Sequence, residues 1–343
     1  MKALRWYARQ DVRYVDAPEP SPGPGMLKIK VKLAGICGTD LKEYAYGPVL
    51  IPPDKAPITM GHEFAGTVAE VGKGVKGFKI GDRVSGVGYY YCGECYCCKM
   101  GRYNLCVNQG FTGLFTDGCM ADYFVIPQYA CYKLPDSVTD EMGALVEPLA
   151  VALHAIGQAK VKKGDTVAVL GDGTIGLCSL LAAKAAGASK VYMIAKHKGR
   201  GGLAAKMGAA AVIYSGEGNA VKELQSLTGG IGTDAAIECV GRPETPQTAV
   251  ELTRRGGIAV ITGIFDKPGI VDFSTMTFTE ITMVGSSIYV HEGKTAIKLM
   301  ADKRIDPSPL ISTIVPLKDA ATQGFEALIN DKESNVKVLL RVT

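Results

Sequence analysis

Short stretches in which apolar and polar residues alternate dominate the first 147 residues of this 343-residue chain. Examples are LKIKVKLAGI, GHEFAGTVAEVG and DRVSGVGYYY, and glycine- and proline-rich turns such as PSPGPG and VGKGVKG separate them. A period of two residues is typical of half-buried β-strands. The pattern predicts an all-β, partly barrel-like domain over residues 1–147.

After residue 148 the pattern changes, because apolar runs now alternate with helical stretches. TVAVLG is followed by the helical IGLCSLLAAKAAG, and further β-runs are KVYMIA, AAVIY, DAAIECVG and GIAVITGI. Strands and helices in alternation predict a doubly wound parallel sheet, which makes the fold class α/β. We place this domain at 148–287. Residues 288–343 end in the β-run NVKVLLRV, and we expect them to return to the first domain.

Composition and charge exclude several classes of protein. The longest apolar runs fall short of the roughly 20 residues that a membrane-spanning helix needs, and MKALRWYARQ lacks the apolar core of a signal peptide. A formal net charge of +4 is too small to indicate nucleic acid as a partner. We therefore expect a cytoplasmic protein that binds neither membrane nor nucleic acid.

A glycine motif opens the second domain, between a β-run and a helical stretch. Gly171, Gly173 and Gly176 follow G-x-G-x-x-G order, which permits a tight turn, close approach of a pyrophosphate, and close packing of helix on strand. The helix N-terminus adds N–H groups and partial positive charge. The motif predicts a Rossmann dinucleotide site, with an ordinary strand–helix turn as the alternative. We assign these residues to it: Gly171, Asp172, Gly173, Thr174, Ile175, Gly176, Val240 and Gly263.

The next β-run ends in IAKHKGR and lacks the acidic residue that holds the adenosine ribose in NAD-binding domains. Ala195 stands there instead and removes a charge that would repel a 2′-phosphate. No Asp or Glu occurs between residues 173 and 216. The sequence therefore favours NADP(H) over NAD(H), with a solvated basic helix start as the alternative. The residues that would bind the phosphate are Lys196, His197, Lys198 and Arg200.

Four of the ten cysteines follow C-x₂-C-x₂-C-x₇-C within residues 92–106. Four thiolates in one short loop suit a closed, structural Zn²⁺ site, and an iron–sulfur cluster is the alternative. Cys97 lies inside the loop, but the spacing does not need it. Disulfides are not expected in a reducing compartment. The predicted ligands are Cys92, Cys95, Cys98 and Cys106.

A second set of metal-type residues is scattered along the first domain. Cys37 lies in AGICGTD, His62 in MGHEFAG and Glu147 in ALVEPLA. One thiolate, one imidazole and one carboxylate would leave a fourth position on zinc open for a substrate. Spacing alone does not bring the three together, and a lone Cys or His is more often a packed residue.

These segments, with GPVLIPPD, GDRV and the ending GFEALIND…VKVLL, resemble the zinc-dependent medium-chain alcohol dehydrogenases over essentially the whole chain. The resemblance is to the polyol and diol branch, nearest the butanediol dehydrogenases and more distantly the sorbitol dehydrogenases. It implies that the first domain is a GroES-like catalytic domain. It makes Cys37, His62 and Glu147 ligands of a catalytic zinc, places Glu63 beside or on the metal, and makes Thr39 the hydroxyl that passes the alcohol proton onward.

Two positions depart from the family pattern. Lys42 stands where relatives often have a histidine as the last relay member, and a lysine can relay a proton only if its pKa is lowered. Ala195 replaces the acidic residue that most relatives have at this position. Because the butanediol branch is usually NAD-linked, the resemblance favours NAD(H), whereas the local charges favour NADP(H). We follow the local charges, because they contact the ligand directly.

The resemblance implies an enzyme with two zinc ions per chain that interconverts a secondary alcohol and its ketone. A vicinal diol or polyol of the 2,3-butanediol type is the expected substrate, with sorbitol, threonine or another sugar alcohol as alternatives. A non-catalytic cofactor-binding relative is a further alternative. A tetramer or dimer is expected, with ITMVGSSIYV (281–290) as a candidate interface strand. Tyr44 and Tyr46 are pocket candidates, and His154 and His291 are expected to be structural or at the surface.

Overall fold

The computed structural model describes residues 1–342 and divides into two compact units. One unit comprises Met1–Glu147, Gly293–Lys303 and the chain from Ile311 onward, and the other comprises Pro148–Glu292 and Arg304–Leu310. Within residues 1–342, no helix is both long and apolar enough to cross a membrane.

The first unit is rich in β-strands, as its alternating pattern predicts. Its helices before residue 147 are α1 (Gly38–Tyr46), α2 (Tyr96–Lys99) and α3 (Asp140–Gly143). The strands in this part of the chain are β1 (Lys2–Ala8), β2 (Asp11–Asp16), β3 (Met26–Gly35), β4 (Ile58–Thr59), β5 (Glu63–Val71), β6 (Arg83–Gly86), β7 (Tyr89–Tyr90), β8 (Gly110–Phe111), β9 (Tyr123–Pro127) and β10 (Cys131–Lys133).

The second unit alternates strand and helix around one parallel sheet. Helix α4 (Val146–Gln158) leads into it. The remaining elements are β11 (Thr166–Leu170), α5 (Thr174–Ala186), β12 (Lys190–Ala195), α6 (Lys198–Lys206), β13 (Ala211–Tyr214), α7 (Ala220–Leu227), β14 (Thr233–Glu238), α8 (Thr245–Leu252), β15 (Thr253–Ile261), α9 (Phe273–Thr279) and β16 (Thr282–Gly285).

The six strands of this unit are ordered β13-β12-β11-β14-β15-β16, and every neighbouring pair is parallel. The order reverses between β11 and β14, and the carboxyl ends of strands at such a reversal are the usual place for a ligand. The α/β fold class is therefore confirmed. Within the candidate interface segment 281–290, only the residues of β16 form a strand, and β16 lies at the edge of the sheet.

The end of the chain completes the main sheet of the first unit. It contains α10 (Glu292–Ala301), β17 (Ile311–Pro316), a π-helical stretch (Ala320–Glu326), α11 (Ala327–Asn330) and β18 (Lys337–Arg341). The sheet order is β10-β6-β5-β3-β18-β17, with β9 also paired to β3. Strand β18 runs antiparallel to β3, so the start of β18 lies near the end of β3 and the start of β5.

Candidate active site

Three metal-type side chains converge where β3 ends and β5 begins. Cys37 follows β3 and precedes α1, while His62 and Glu63 stand at the start of β5. One ligand atom of each lies within 4.8 Å of the others. His62 and Glu63 are 2% and 1% exposed. A cysteine sulfur, an imidazole and a carboxylate in one largely buried cluster fit the ligand set that Zn²⁺ prefers.

Glu147 lies outside this 4.8 Å cluster, although the resemblance makes it a ligand. It is buried in the first turn of α4, and its charge still acts on His62. Burial lowers the pKa of His62, but the Cys37 thiolate beside it and the carboxylates of Asp40 and Glu147 raise that pKa to about 10. Burial also raises the pKa of Asp40, and a divalent cation bound beside these groups would favour their charged forms.

Several buried polar atoms near this cluster have no hydrogen-bond partner within residues 1–342. They are Thr39 Oγ1, Asp40 Oδ1 and His62 Nδ1. The other oxygen of Asp40 accepts the Cys37 backbone N–H at 2.9 Å, which fixes the turn into α1. A buried hydroxyl that lacks a hydrogen-bond partner, close in the chain to a metal-type cluster, suits a group that hydrogen-bonds to a substrate.

A buried lysine from the end of the chain contacts the same cluster. Lys337 Nζ lies 2.8 Å from Glu63 Oε1 and 2.7 Å from Oε2, and it donates to the Ile36 carbonyl at 2.9 Å. Sequence reasoning missed Lys337, because nothing local marks it and 274 residues separate it from Glu63.

The remaining candidates on α1 differ in environment. Tyr44 is buried, its ring centroid lies 5.3 Å from that of Phe325, and its hydroxyl bonds Glu326 at 3.2 Å. Tyr46 is 69% exposed. Lys42 lies on α1, three residues after Thr39, and is partly exposed. The structure therefore gives Tyr44 a packing role.

The four cysteines of the loop come together as their spacing predicts. The ligand atoms of Cys92, Cys95, Cys98 and Cys106 all lie within 4.8 Å of one another, and buried Cys97 is outside the group. Backbone N–H groups lower the pKa of Cys95 to about 6, whereas burial raises the pKa of Cys98 to about 12. Four sulfurs in one small cluster suit a tetrahedral structural zinc.

The glycine turn has the geometry that the motif predicts. Gly171 has a φ of +116°, which only glycine adopts readily, and a Cβ on Gly176 would meet the Gly171 carbonyl oxygen at 1.8 Å. Gly173 precedes α5, and a Cβ there would meet nothing within 4 Å. The turn therefore leaves open space at the N-terminus of α5, where a pyrophosphate would bind.

The basic segment after β12 is less positive than its sequence suggests. Ala195 ends β12 and is fully buried. Asp172, from the glycine turn, accepts the backbone N–H of Lys196 at 2.9 Å and of His197 at 2.7 Å. Lys198 forms an ion pair with Glu217. Sequence reasoning did not connect Asp172 and Glu217 with the basic segment, although they are the first acidic residues before and after the stretch that contains no Asp or Glu.

Val240 and Gly263 follow neighbouring strands of the sheet and are held by one carboxylate that sequence reasoning missed. Glu238 ends β14 and is fully buried. It accepts the N–H of Val240 at 2.7 Å, of Gly241 at 2.8 Å and of Gly263 at 3.3 Å, and the Thr245 hydroxyl at 2.9 Å. Glu238 thus joins the two loops that contain our cofactor-site assignments.

Residues 23–136 match the alcohol dehydrogenase GroES-like domain, and residues 174–302 match the zinc-binding dehydrogenase family. The chain therefore belongs to the zinc-dependent medium-chain alcohol dehydrogenases and is an oxidoreductase of that class. The family predicted from the sequence is confirmed.

Individual relatives span the whole chain. It is 40% identical to the (R,R)-butanediol dehydrogenase of Bacillus subtilis (strain 168) over 350 residues, which cover 99% of each protein. It is 33% identical to a sorbitol dehydrogenase of the same organism, with 99% of this chain and 97% of that one covered. The solved structure of a zinc-binding dehydrogenase from Sinorhizobium meliloti 1021 bound to NADP matches with a TM-score of 0.91 at 32% identity, over 99% of this chain and 98% of that one.

Proposed function

We propose that this enzyme interconverts a vicinal diol of the 2,3-butanediol type and its hydroxyketone, with NADP(H) as the hydride carrier. The observation that carries the proposal is the largely buried cluster of Cys37, His62 and Glu63, together with the hydroxyl of Thr39 two residues after Cys37. That hydroxyl is buried and has no hydrogen-bond partner within residues 1–342. Such a cluster serves alcohol oxidation, since the alcohol must lose a proton as well as a hydride.

Cys37, His62 and Glu147 are the residues we expect to hold the catalytic zinc. Glu63 is the less suitable carboxylate, because both of its oxygens already bond Lys337. Zinc bound at this site would supply Lewis-acid chemistry that lowers the pKa of an alcohol. Thr39 Oγ1 would take the alcohol proton while its own hydroxyl proton passes onward to water, and Asp40 holds the turn that positions both Cys37 and Thr39.

The substrate class follows from the degree of similarity to two kinds of relative. Identity to the butanediol dehydrogenase exceeds identity to the sorbitol dehydrogenase, 40% against 33%. Both kinds act on an alcohol that has a neighbouring hydroxyl. We therefore favour a short vicinal diol and keep sorbitol, threonine and other sugar alcohols as alternative substrates.

Three observations support NADP(H). Ala195 itself contributes no carboxylate at the end of β12, and three basic residues follow it: Lys196, Lys198 and Arg200. A relative of similar fold is bound to NADP. Against these stands Asp172, whose carboxylate lies at the same strand end. The balance of charge favours the phosphorylated cofactor.

We further propose a structural zinc at the four-cysteine loop, which gives two zinc ions per chain. Elemental analysis tests this number. One zinc per chain would indicate a protein that keeps only the structural site, which is the expectation for a non-catalytic relative. We also propose a homo-oligomer, either a dimer or a tetramer, in which the edge strand β16 pairs with its counterpart.

Steady-state kinetics with purified protein test the proposed reaction. We expect the highest kcat/KM with 2,3-butanediol among a panel that includes sorbitol, threonine and ethanol, and a higher kcat/KM with NADP⁺ than with NAD⁺. A higher kcat/KM with sorbitol or threonine would contradict the substrate class. A higher kcat/KM with NAD⁺ would contradict the cofactor.

A further inference from the structure

Two carboxylates lie against the basic segment that follows β12. Asp172 and Glu217 are the acidic residues that bound the acid-free interval of the sequence on either side. Folding brings Asp172 to His197 and Glu217 to Lys198. Two of the basic groups that a cofactor phosphate would use are therefore already paired with acids of this chain.

The Asp172 carboxylate lies at the start of α6, where a bound anion would accept the same N–H groups. Its Oδ2 accepts the N–H of Lys196 at 2.9 Å and of His197 at 2.7 Å, and the ring Nδ1 of His197 lies 3.1 Å from it. These N–H groups come directly after Ala195 and directly before α6, whose N-terminus favours negative charge. The Asp172 side chain is 7% exposed, so its surroundings fix its position.

Glu217 contacts the basic segment more loosely. Lys198 Nζ lies 3.6 Å from the centroid of the Tyr214 ring and forms an ion pair with Glu217. The two charged side chains are 60% and 58% exposed. An ion pair this exposed is weak and screened by salt, so a phosphate can displace the glutamate.

We propose that Asp172 is a specificity-determining residue for the 2′ position of the adenosine ribose, with Glu217 as a weaker second one. This rests on the proposed function, because it requires a dinucleotide on the glycine turn with its ribose at the end of β12. There the Asp172 carboxylate repels a 2′-phosphate and withholds two N–H donors and the His197 ring from it. A 2′-hydroxyl meets no such repulsion.

The consequence is a cofactor preference set by two opposing features. Ala195 removes the discriminating carboxylate from the end of β12, and Asp172 supplies one from the glycine turn. The enzyme therefore keeps only a modest preference for NADP(H), and removing the charge of Asp172 should increase it.

Binding of two small probes to the full-length, zinc-loaded protein tests this proposal. Adenosine 5′-monophosphate and adenosine 2′,5′-bisphosphate differ only in the 2′-phosphate, so the ratio of their dissociation constants by calorimetry isolates that group. At fixed ionic strength, Asp172→Asn should shift the ratio toward the bisphosphate about tenfold, the effect of one charge a few ångströms away in a partly screened site. Glu217→Gln should shift it about twofold.

A matched control removes one negative charge from elsewhere in the same unit. Glu251 is exposed on α8 and bonds Gln247, so Glu251→Gln should leave the ratio unchanged. An unchanged ratio in folded Asp172→Asn overturns the proposal, as does an equal shift in the control. If Asp172→Asn does not fold, the exposed Glu217→Gln variant is measured instead, and an unchanged ratio of dissociation constants in that variant overturns the proposal. The wild-type ratio separately tests the proposed function, because bisphosphate that binds no tighter than the monophosphate contradicts an NADP(H) preference.

Discussion

Lys337 and Glu63 form a buried ion pair beside the candidate catalytic metal site. The ammonium nitrogen lies 2.8 Å and 2.7 Å from the two carboxylate oxygens, and the side chains are 2% and 1% exposed. Strand β18 brings Lys337 there by pairing with β3. The C-terminal strand thus fixes the orientation of the carboxylate that follows His62, and both oxygens of that carboxylate accept hydrogen bonds from Lys337.

Lys337→Met should destabilise the protein by about 3–5 kcal/mol, because it leaves a buried carboxylate without its counter-charge. The double variant Lys337→Met with Glu63→Gln should recover part of this loss, since no buried charge remains unpaired. Urea denaturation of the zinc-loaded proteins measures both. Lys298→Met breaks an exposed pair with Asp302 and should change stability by less than about 1 kcal/mol. Equal losses in the single and double variants would contradict the ion-pair account.

The parts of the site that sequence reasoning predicted are the local ones. The glycine turn and the four-cysteine loop each lie within one short segment of chain, so spacing is enough to place their atoms together. The α/β fold class could be predicted for the same reason, because the spacing of apolar residues in strands and helices is a local pattern. The cluster of Cys37, His62 and Glu63 needed a family resemblance, because it forms only where the end of β3 pairs with the start of β5.

The parts that sequence reasoning missed depend on contacts between distant segments. Lys337 reaches Glu63 only through the pairing of β18 with β3. Glu238 joins two loops because β14 and β15 are neighbours in the sheet. The pairing of Asp172 with His197 depends on β11 lying beside β12. Pairing partners in a sheet are set by the whole fold, so no short motif reveals them.

Cys95→Ser should reduce the zinc content of the purified protein from the proposed two ions per chain to one. It removes one of four sulfurs in the loop cluster, and structural zinc sites contribute directly to folding stability. Cys97→Ala is the matched control, because Cys97 lies in the same loop but outside the cluster. Elemental analysis measures both variants. Loss of zinc from Cys97→Ala alone would mean that the ligand assignment is wrong.

Thr39→Val should lower kcat by a factor of roughly 10²–10⁴ without loss of zinc, because valine keeps the shape and removes the hydroxyl that we propose relays the alcohol proton. Thr39→Ser retains a hydroxyl and should keep most of the activity. Steady-state kinetics with 2,3-butanediol compare the three proteins. A Thr39→Val enzyme as active as Thr39→Ser would show that the buried hydroxyl has no part in the reaction.

Glu238→Ala should raise the dissociation constant of the cofactor at least tenfold. It removes the acceptor of the Val240 and Gly241 N–H groups, and hydrogen bonds to a charged group are worth about 1.5–3 kcal/mol each. Thr245→Val removes only the hydroxyl that bonds the same carboxylate and should have a smaller effect. Cofactor fluorescence titration measures both. Unchanged affinity in Glu238→Ala would mean that the two loops do not depend on this carboxylate.

Glu292 should make the stability of the protein depend on pH in the acid range. Although burial raises its pKa, the hydrogen bond from His154 and the Val290 N–H outweigh this, and the pKa of Glu292 falls to about 2 from 4.5. A lowered carboxyl pKa stabilises the fold above about pH 4.5, and this contribution disappears as the pH falls toward 2. Glu292→Gln should therefore cost about 2–3 kcal/mol at pH 7, and its deficit should shrink below pH 4.5. Urea denaturation of both proteins between pH 3 and 7 measures the difference, and a deficit that does not change with pH would contradict an origin in the ionised Glu292 carboxylate.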